Sequence, residues 1–230
     1  MKIQKQPTQG INLIELLTVI FVVVILVGIA FPGCPRVQIR ESQTKGLMNA
    51  KQIGLACKLF AEDHDGHYPS NLLNSKGEVT TTPPSSSNAA LAQLIPEYIP
   101  DEKIFWVPQD KAYCNASEPD GKPPWLGAGE NHWGYVINLT IKSDPQFPLI
   151  ADGTVPGGTY STTESSLGGT WKARKAIMIR VDGSGSIENI NKTTLTIPGP
   201  TPDISNILQP GQKDWLGANN RFLNPIPKSP

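Results

Sequence analysis

INLIELLTVIFVVVILVGIAF, Ile11 through Phe31, follows the polar leader MKIQKQPTQG and is closed by Pro32. Apart from Asn12, Glu15 and Thr18, every residue in it is apolar or glycine. About twenty such residues, rising 1.5 Å each in a helix, cross the roughly 30 Å hydrocarbon layer of a bilayer. A membrane-spanning helix is therefore expected here. Gly10 stands where the polar leader meets the apolar run, a position at which a small residue lets a protease close on the backbone. Glu15 lies one turn further, inside the apolar layer. A carboxylate at that depth costs about 2.5–3.5 kcal/mol on insertion scales, and an ionisable residue inside a span usually marks a function and a partner. The plainer alternative is that Glu15, close to the helix end, snorkels to the headgroups.

The string Gly10-Ile11-Asn12-Leu13-Ile14-Glu15-Leu16-Leu17, behind a short leader carrying Lys2 and Lys5, resembles the prepilin cleavage and methylation signal of type IV pilins and type II secretion pseudopilins. The resemblance implies a cut between Gly10 and Ile11 by a membrane-embedded prepilin peptidase, N-methylation of Ile11, and a subunit-assembly role for Glu15. The helix-bending proline of many pilins maps onto Pro32. Two positions depart from the family: Ile11 stands where phenylalanine is usual, and Asn12 where threonine or serine is common. The physical logic of the match is that two charges, each costly in hydrocarbon, become tolerable together. A new amine at Ile11 of one subunit would pair with the Glu15 carboxylate of its neighbour and fix their axial register.

Lysines and arginines number 20, as do aspartates and glutamates, so no basic footprint for nucleic acid exists. With 21 glycines and 22 prolines in 230 residues, the part beyond the span should be loop-rich rather than a helical bundle. Its length suits one modest domain. Lys2 and Lys5 precede the span while Arg36, Arg40, Lys45 and Lys51 follow it, so counting positive charges does not place the N-terminus in the cytoplasm. The resemblance does, because prepilin peptidases act on the cytoplasmic face. It implies a single-pass protein of a bacterial inner membrane with its soluble domain in the periplasm or in an extracellular filament.

In that oxidising setting a bridge among Cys34, Cys57 and Cys114 is permitted. Cys57 with Cys114 is the expected pair, since Cys34 sits at the membrane exit, and three separate thiols are the alternative. No zinc-type spacing is present.

Beyond the break at Pro32, Gly33 and Pro35, a helix should resume near Val37. Leu47, Ala50, Ile53, Gly54, Cys57, Phe60 and Ala61 recur at spacings of three and four, marking one buried face, and DHDG at 63–66 stops the helix. The loop is no EF-hand: Ala61 and Leu72 occupy the first and last ligand positions. Phe60 through Pro69 (FAEDHDGHYP) resembles the sequence that follows the long helix in a large group of prepilin-like bacterial proteins abundant in planctomycete and verrucomicrobial genomes. Further matches run in order at 91–100, 105–110, 133–135, 148–152 and 181–183, covering roughly residues 1–190. Val107 departs from the group, where a cysteine often precedes the proline. No cofactor is expected. A loop calcium ion, often carried by pseudopilins, would draw on Asp110, Glu118 and Asp120.

A polar loop is expected over 75–88, a short helix over 89–95, and irregular chain over 111–132. Strands are expected at 133–141, 147–151, 176–181 and 186–190, the last two joined by the hairpin turn Asp182-Gly183-Ser184-Gly185. The tail from about Thr193, rich in proline, should be extended or disordered, with Ile204, Ile207, Leu208, Trp215 and Leu216 as docking points.

Catalysis would need a nucleophile and base, or paired carboxylates, in a cleft. His64 and His67 beside Asp63 and Asp65 make a weak metal cluster at most, Asp152 and Asp182 precede glycines as turn residues do, and no phosphate loop or GxSxG elbow is present. No active site is read, and metal ligands are not assigned. The expected fold is α+β: a long kinked N-terminal helix, half in the membrane, packed on a small antiparallel sheet. The expected organisation is a leader at 1–10, a polymerisation helix at 11–33, a pilin-like domain at 34–192 and a tail at 193–230. The expected function is a structural subunit of a type IV pilus or type II secretion filament. Its partners would be further copies or other pseudopilins, the prepilin peptidase, an inner-membrane assembly platform and membrane lipid. A membrane-anchored surface binding module that never polymerises, signal-anchored or lipidated at Cys34, is the alternative.

Overall fold

A computed structural model describes residues 12–30, 35–71, 82–123 and 125–229. Its composition is α+β, with three α-helices and a five-stranded antiparallel sheet. The chain divides into two units, residues 1–41 and 42–230.

The first unit holds helix α1, Leu13–Ala30. Asn12 caps it: its carbonyl accepts from Glu15 N at 2.9 Å and Leu16 N at 3.1 Å, and its Oδ1 from Ile14 N at 3.4 Å. These bonds satisfy amides that a helix start leaves without partners. Eighteen residues rise about 27 Å, just short of the hydrocarbon layer. Among the described residues no helix is long and apolar enough to cross a membrane. Gly10, Ile11, Phe31, Pro32 and Cys34 lie outside the described residues. Helix α2, Pro35–Asp63, opens with proline at a position where its missing N–H costs nothing.

The second unit is built on a sheet of strands β1 (Trp133–Ile137), β2 (Pro148–Asp152), β3 (Lys175–Arg180), β4 (Gly185–Asn189) and β5 (Arg221–Leu223). Their order across the sheet is β4-β3-β2-β1-β5, with every pairing antiparallel. The expected face of α2 is the buried one: Ala50, Ile53, Cys57, Phe60 and Ala61 all join the core. The approach to the sheet is close because the helix carries glycine at two contact points. A Cβ on Gly46 would stand 2.9 Å from Ile177 Cδ1, and one on Gly54 2.9 Å from Ile179 Cγ2. The helix ends at DHDG, where Asp65 and Gly66 both take positive φ.

Two expected elements differ in extent. The first strand stops at Ile137 rather than residue 141, because Asn138 turns to φ 63°. The expected short helix is α3, Ser87–Leu91, capped by Ser86 and continued by a 3-10 turn at Ala92–Leu94. The hairpin forms at the expected turn, with Gly183 at φ 87° and Ile179 opposite Gly185.

The tail is a correction. Residues 193–229 are packed, not loose: Ile197, Ile204, Ile207, Leu208, Trp215, Leu216 and Leu223 are buried, including all five expected docking points. β5 pairs with β1, Leu223 against Tyr135, and Phe222 lies so close over Gly134 that any Cβ there would collide with its ring. The compact unit therefore runs through the segment set apart as a tail. Periodicity is absent there because order comes from side-chain bonds to irregular backbone, such as Trp215 Nε1 donating to Ile207 O at 2.8 Å.

Candidate functional site

Two features of the described chain carry more than packing: the surface of α1 and a charged cluster inside the second unit. On α1, Glu15 sits one turn past the Asn12 cap with its side chain exposed, and its carbonyl accepts from Thr18 Oγ1 at 2.9 Å. No cation pairs with the Glu15 carboxylate among the described residues. Around it, thirteen large apolar side chains from Leu13 to Val27 are exposed, from 45% at Ile25 to 79% at Leu13. A helix apolar on all sides has no polar face to turn to water.

The cluster lies at the ends of β1 and β2. His132, immediately before β1, is fully buried between Asp110 (Nδ1 to Oδ2, 2.5 Å) and Asp152 (Nε2 to Oδ1, 2.8 Å). The remaining carboxylate capacity is also used. Asp110 Oδ1 accepts from Ala112 N and Tyr113 N, and Asp152 Oδ2 accepts from Trp171 Nε1 at 2.8 Å and Ile177 N at 2.9 Å. Both ring nitrogens face carboxylate oxygens, so both donate when the ring is an imidazolium. Burial alone would lower the His132 pKa, but the two carboxylates override it and hold the ring up to about 10. Burial opposes ionisation of Asp110 too, and the His132 charge and the two amides win, lowering its pKa. Trp133 packs edge-on to the ring at 4.7 Å. One histidine thus ties the 107–115 loop, β1, β2, the Trp171 loop and β3. With both ring nitrogens committed to carboxylates and all three side chains buried, the arrangement cross-links these segments.

The expected loop acids do not converge. Asp110 is committed to His132, while Glu118 pairs with Lys103 at 3.4 Å and Asp120 with Lys122 at 3.9 Å, both at the surface. His64 stacks on Phe60 at 3.8 Å with Nδ1 2.7 Å from its carbonyl, and Asp63 accepts from Tyr98 OH at 2.8 Å. A cleft of about 330 Å³ opens beside them, lined also by His67 and Tyr68. Among the described residues no group of three or more His, Cys, Asp or Glu side chains could hold a metal ion.

The expected Cys57–Cys114 bridge is not formed; both are buried free thiols. Cys57 belongs to the α2 core face, and Cys114 Sγ instead accepts from Val107 N at 3.5 Å. Burial pushes both thiols well above their ordinary range.

From the sequence, Asp152 reads as a turn residue and His132 has no assigned role. The available signal is local: a histidine directly ahead of the apolar run WGYVI needs partners, and Asp110 and Asp152 close the largely apolar segments FWVPQD and PLIAD. The chain matches no protein-family model, no curated protein and no solved structure.

Proposed function

We propose that this chain is a pilin-like structural subunit, cut between Gly10 and Ile11, methylated at Ile11, and polymerised through α1 into a type IV pilus or a type II secretion filament. The observation that carries the reading is the surface of α1: a helix whose large apolar side chains stay exposed around its whole circumference, interrupted at one turn by a carboxylate that has no cationic partner among the described residues. Lipid before assembly and like helices after it are the two surroundings in which such a surface is stable. Glu15 would then meet the Ile11 amine of the next copy, each charge offsetting the cost of burying the other. Pro32 would bend the helix where it leaves the membrane.

Mass spectrometry of the native protein tests the processing: a mature chain beginning at N-methylated Ile11 is expected. Recovery with Met1 attached, or with a lipidated Cys34 at the terminus, would overturn it. Electron microscopy tests assembly. Filaments are expected from the wild type, and Glu15→Ala should be processed normally yet fail to assemble; filaments from Glu15→Ala at the wild-type rate would remove the role given to Glu15.

A further inference from the structure

Opposite its core face, α2 carries a second apolar stripe. Met48, Gln52, Leu55 and Leu59 recur at spacings of four, three and four, and Met48, Leu55 and Leu59 are 53%, 59% and 43% exposed. Beside this ridge runs a groove of about 330 Å³, with Leu55, Ala56 and Leu59 on one wall, Tyr98, Ile99 and Ile104 on the other, and Asp101 in the lining. Charge is unevenly spread along the ridge. Exposed Lys45 and Lys51 flank its first half, whereas exposed Glu62, Asp63 and Asp101 surround its far end; the cations there are already engaged, Lys58 donating to Asp182 O at 2.6 Å and Lys103 pairing with Glu118 at 3.4 Å.

We propose that the groove seats a second copy of this chain, the ridge of one entering the groove of the next with the two α2 helices parallel and displaced by three turns. This rests on the filament reading and names a contact within it. Met48 and Leu59 are eleven residues apart, three turns to within a fraction of a residue, so the displacement of about 16 Å keeps the same face turned inward. It sets Met48 of one copy beside Leu59 and the Tyr98–Ile104 wall of the other, Lys51 beside Glu62, and Gln52 beside Asp63. The basic half thereby meets the acidic end. Copies anchored through α1 in one membrane enter α2 from the same end, which selects the parallel arrangement. The contact joins two different surfaces, so it does not close on itself and continues from copy to copy. Three apolar side chains and one groove make an interface at the small end of the size range, too weak to hold free copies together. It acts once α1 has concentrated them in a membrane.

The test uses the full-length chain in bacterial membranes, with Cys34→Ser throughout and two differently tagged copies. One carries Met48→Cys and the other Ile104→Cys. Oxidation should join the two tags, while either variant alone should give little cross-linked product. Absence of the mixed product, or equally strong joining of Met48→Cys to itself, would overturn the proposal. Lys51→Glu in the Met48→Cys copy should cut the mixed yield about fivefold. Glu62→Lys in the other copy should restore it; a yield insensitive to both changes would overturn the register. Filaments without the mixed product would remove this contact and leave the filament reading standing. The mixed product without filaments would do the reverse.

Discussion

Replacing His132 by alanine should be among the most damaging single changes in this protein. It removes the cation between two carboxylates whose side chains are 1% and 2% exposed, and it leaves the two oxygens that faced the ring nitrogens without that partner. Breaking a buried, hydrogen-bonded ion pair from one side costs about 3–5 kcal/mol. A domain of this size has roughly 5–15 kcal/mol in total, so a large share is lost. The pH dependence identifies the cause. His132 has a folded pKa of about 10, above the ordinary histidine value, so its contribution is complete below about pH 6.5 and disappears as pH rises through about 10. Asp110 is shifted the other way: its contribution is complete above the ordinary aspartate range and disappears as pH falls below it. Wild-type stability should therefore be highest between about pH 4 and 6.5 and fall by up to about 1.4 kcal/mol per pH unit above that window. In His132→Ala this alkaline slope should vanish, and stability should rise toward acid as one of the two unpaired carboxylates takes a proton. Urea unfolding of a chain lacking residues 1–34, which keeps α2 whole, measures both. A loss under 1 kcal/mol at pH 6, or a wild-type curve flat from pH 7 to 9, would refute the cross-link.

The other consequences are more local. Gly54→Leu should destabilise by about 1–3 kcal/mol in the same assay, because a Cβ at this position would stand 2.9 Å from Ile179 Cγ2, a β-branched atom close to the strand backbone, before the rest of the side chain is added. Ending the chain after Asn219 removes β5 and uncovers Gly134 and the β1 edge; a lowered thermal midpoint is expected, and an unchanged one would return the tail to a passive role. Val107→Cys should form a bridge with Cys114, whose sulfur already lies 3.5 Å from Val107 N, giving a mass 2 Da lower than the reduced variant and about 2 kcal/mol of added stability from closing a loop of about eight residues. Persistence of two free thiols in that variant under oxidising conditions would count against the geometry.

What the sequence disclosed followed from periodicity. The core face of α2 is readable because Ala50, Ile53, Cys57 and Ala61 repeat with the helix, and the β3–β4 hairpin because Asp182-Gly183 supplies the positive φ its turn requires. The segment after Thr193 has no repeat to read. Its prolines suggest loose chain, yet Trp215, Leu216 and Leu223 are buried, Trp215 edge-on to Phe147 at 5.0 Å and Leu223 opposite Tyr135 on β1. The charged cluster was hidden for the same reason. Asp110, His132 and Asp152 are separated by about twenty residues each and meet only when β1 and β2 pair, with Trp133 opposite Asp152. The Val107 position reads differently once folded: the cysteine often found there in the group that the sequence resembles would stand beside Cys114, whose sulfur accepts from Val107 N at 3.5 Å.

The energetics of α1 bear on which surroundings it occupies. Thirteen large apolar side chains, each about half to four-fifths exposed, forgo on the order of 1 kcal/mol apiece, so the helix alone in water carries a deficit of roughly 10–20 kcal/mol. That is as large as the stability of a whole domain. The carboxylate of Glu15 resists burial by about 2.5–3.5 kcal/mol, several-fold less. The sum therefore favours an apolar environment for α1 even with Glu15 ionised, and on the filament reading a partner amine would remove the remaining penalty without altering that balance. The two substitutions consequently separate the two steps. Glu15→Ala should strengthen membrane retention while abolishing subunit register. Val23→Lys, which adds a charge of comparable cost eight residues deeper with no partner to meet it, should weaken both retention and assembly. Carbonate extraction of membranes followed by electron microscopy reads the pair. Equal retention of the two variants would contradict this division of roles between the apolar surface and the single acid.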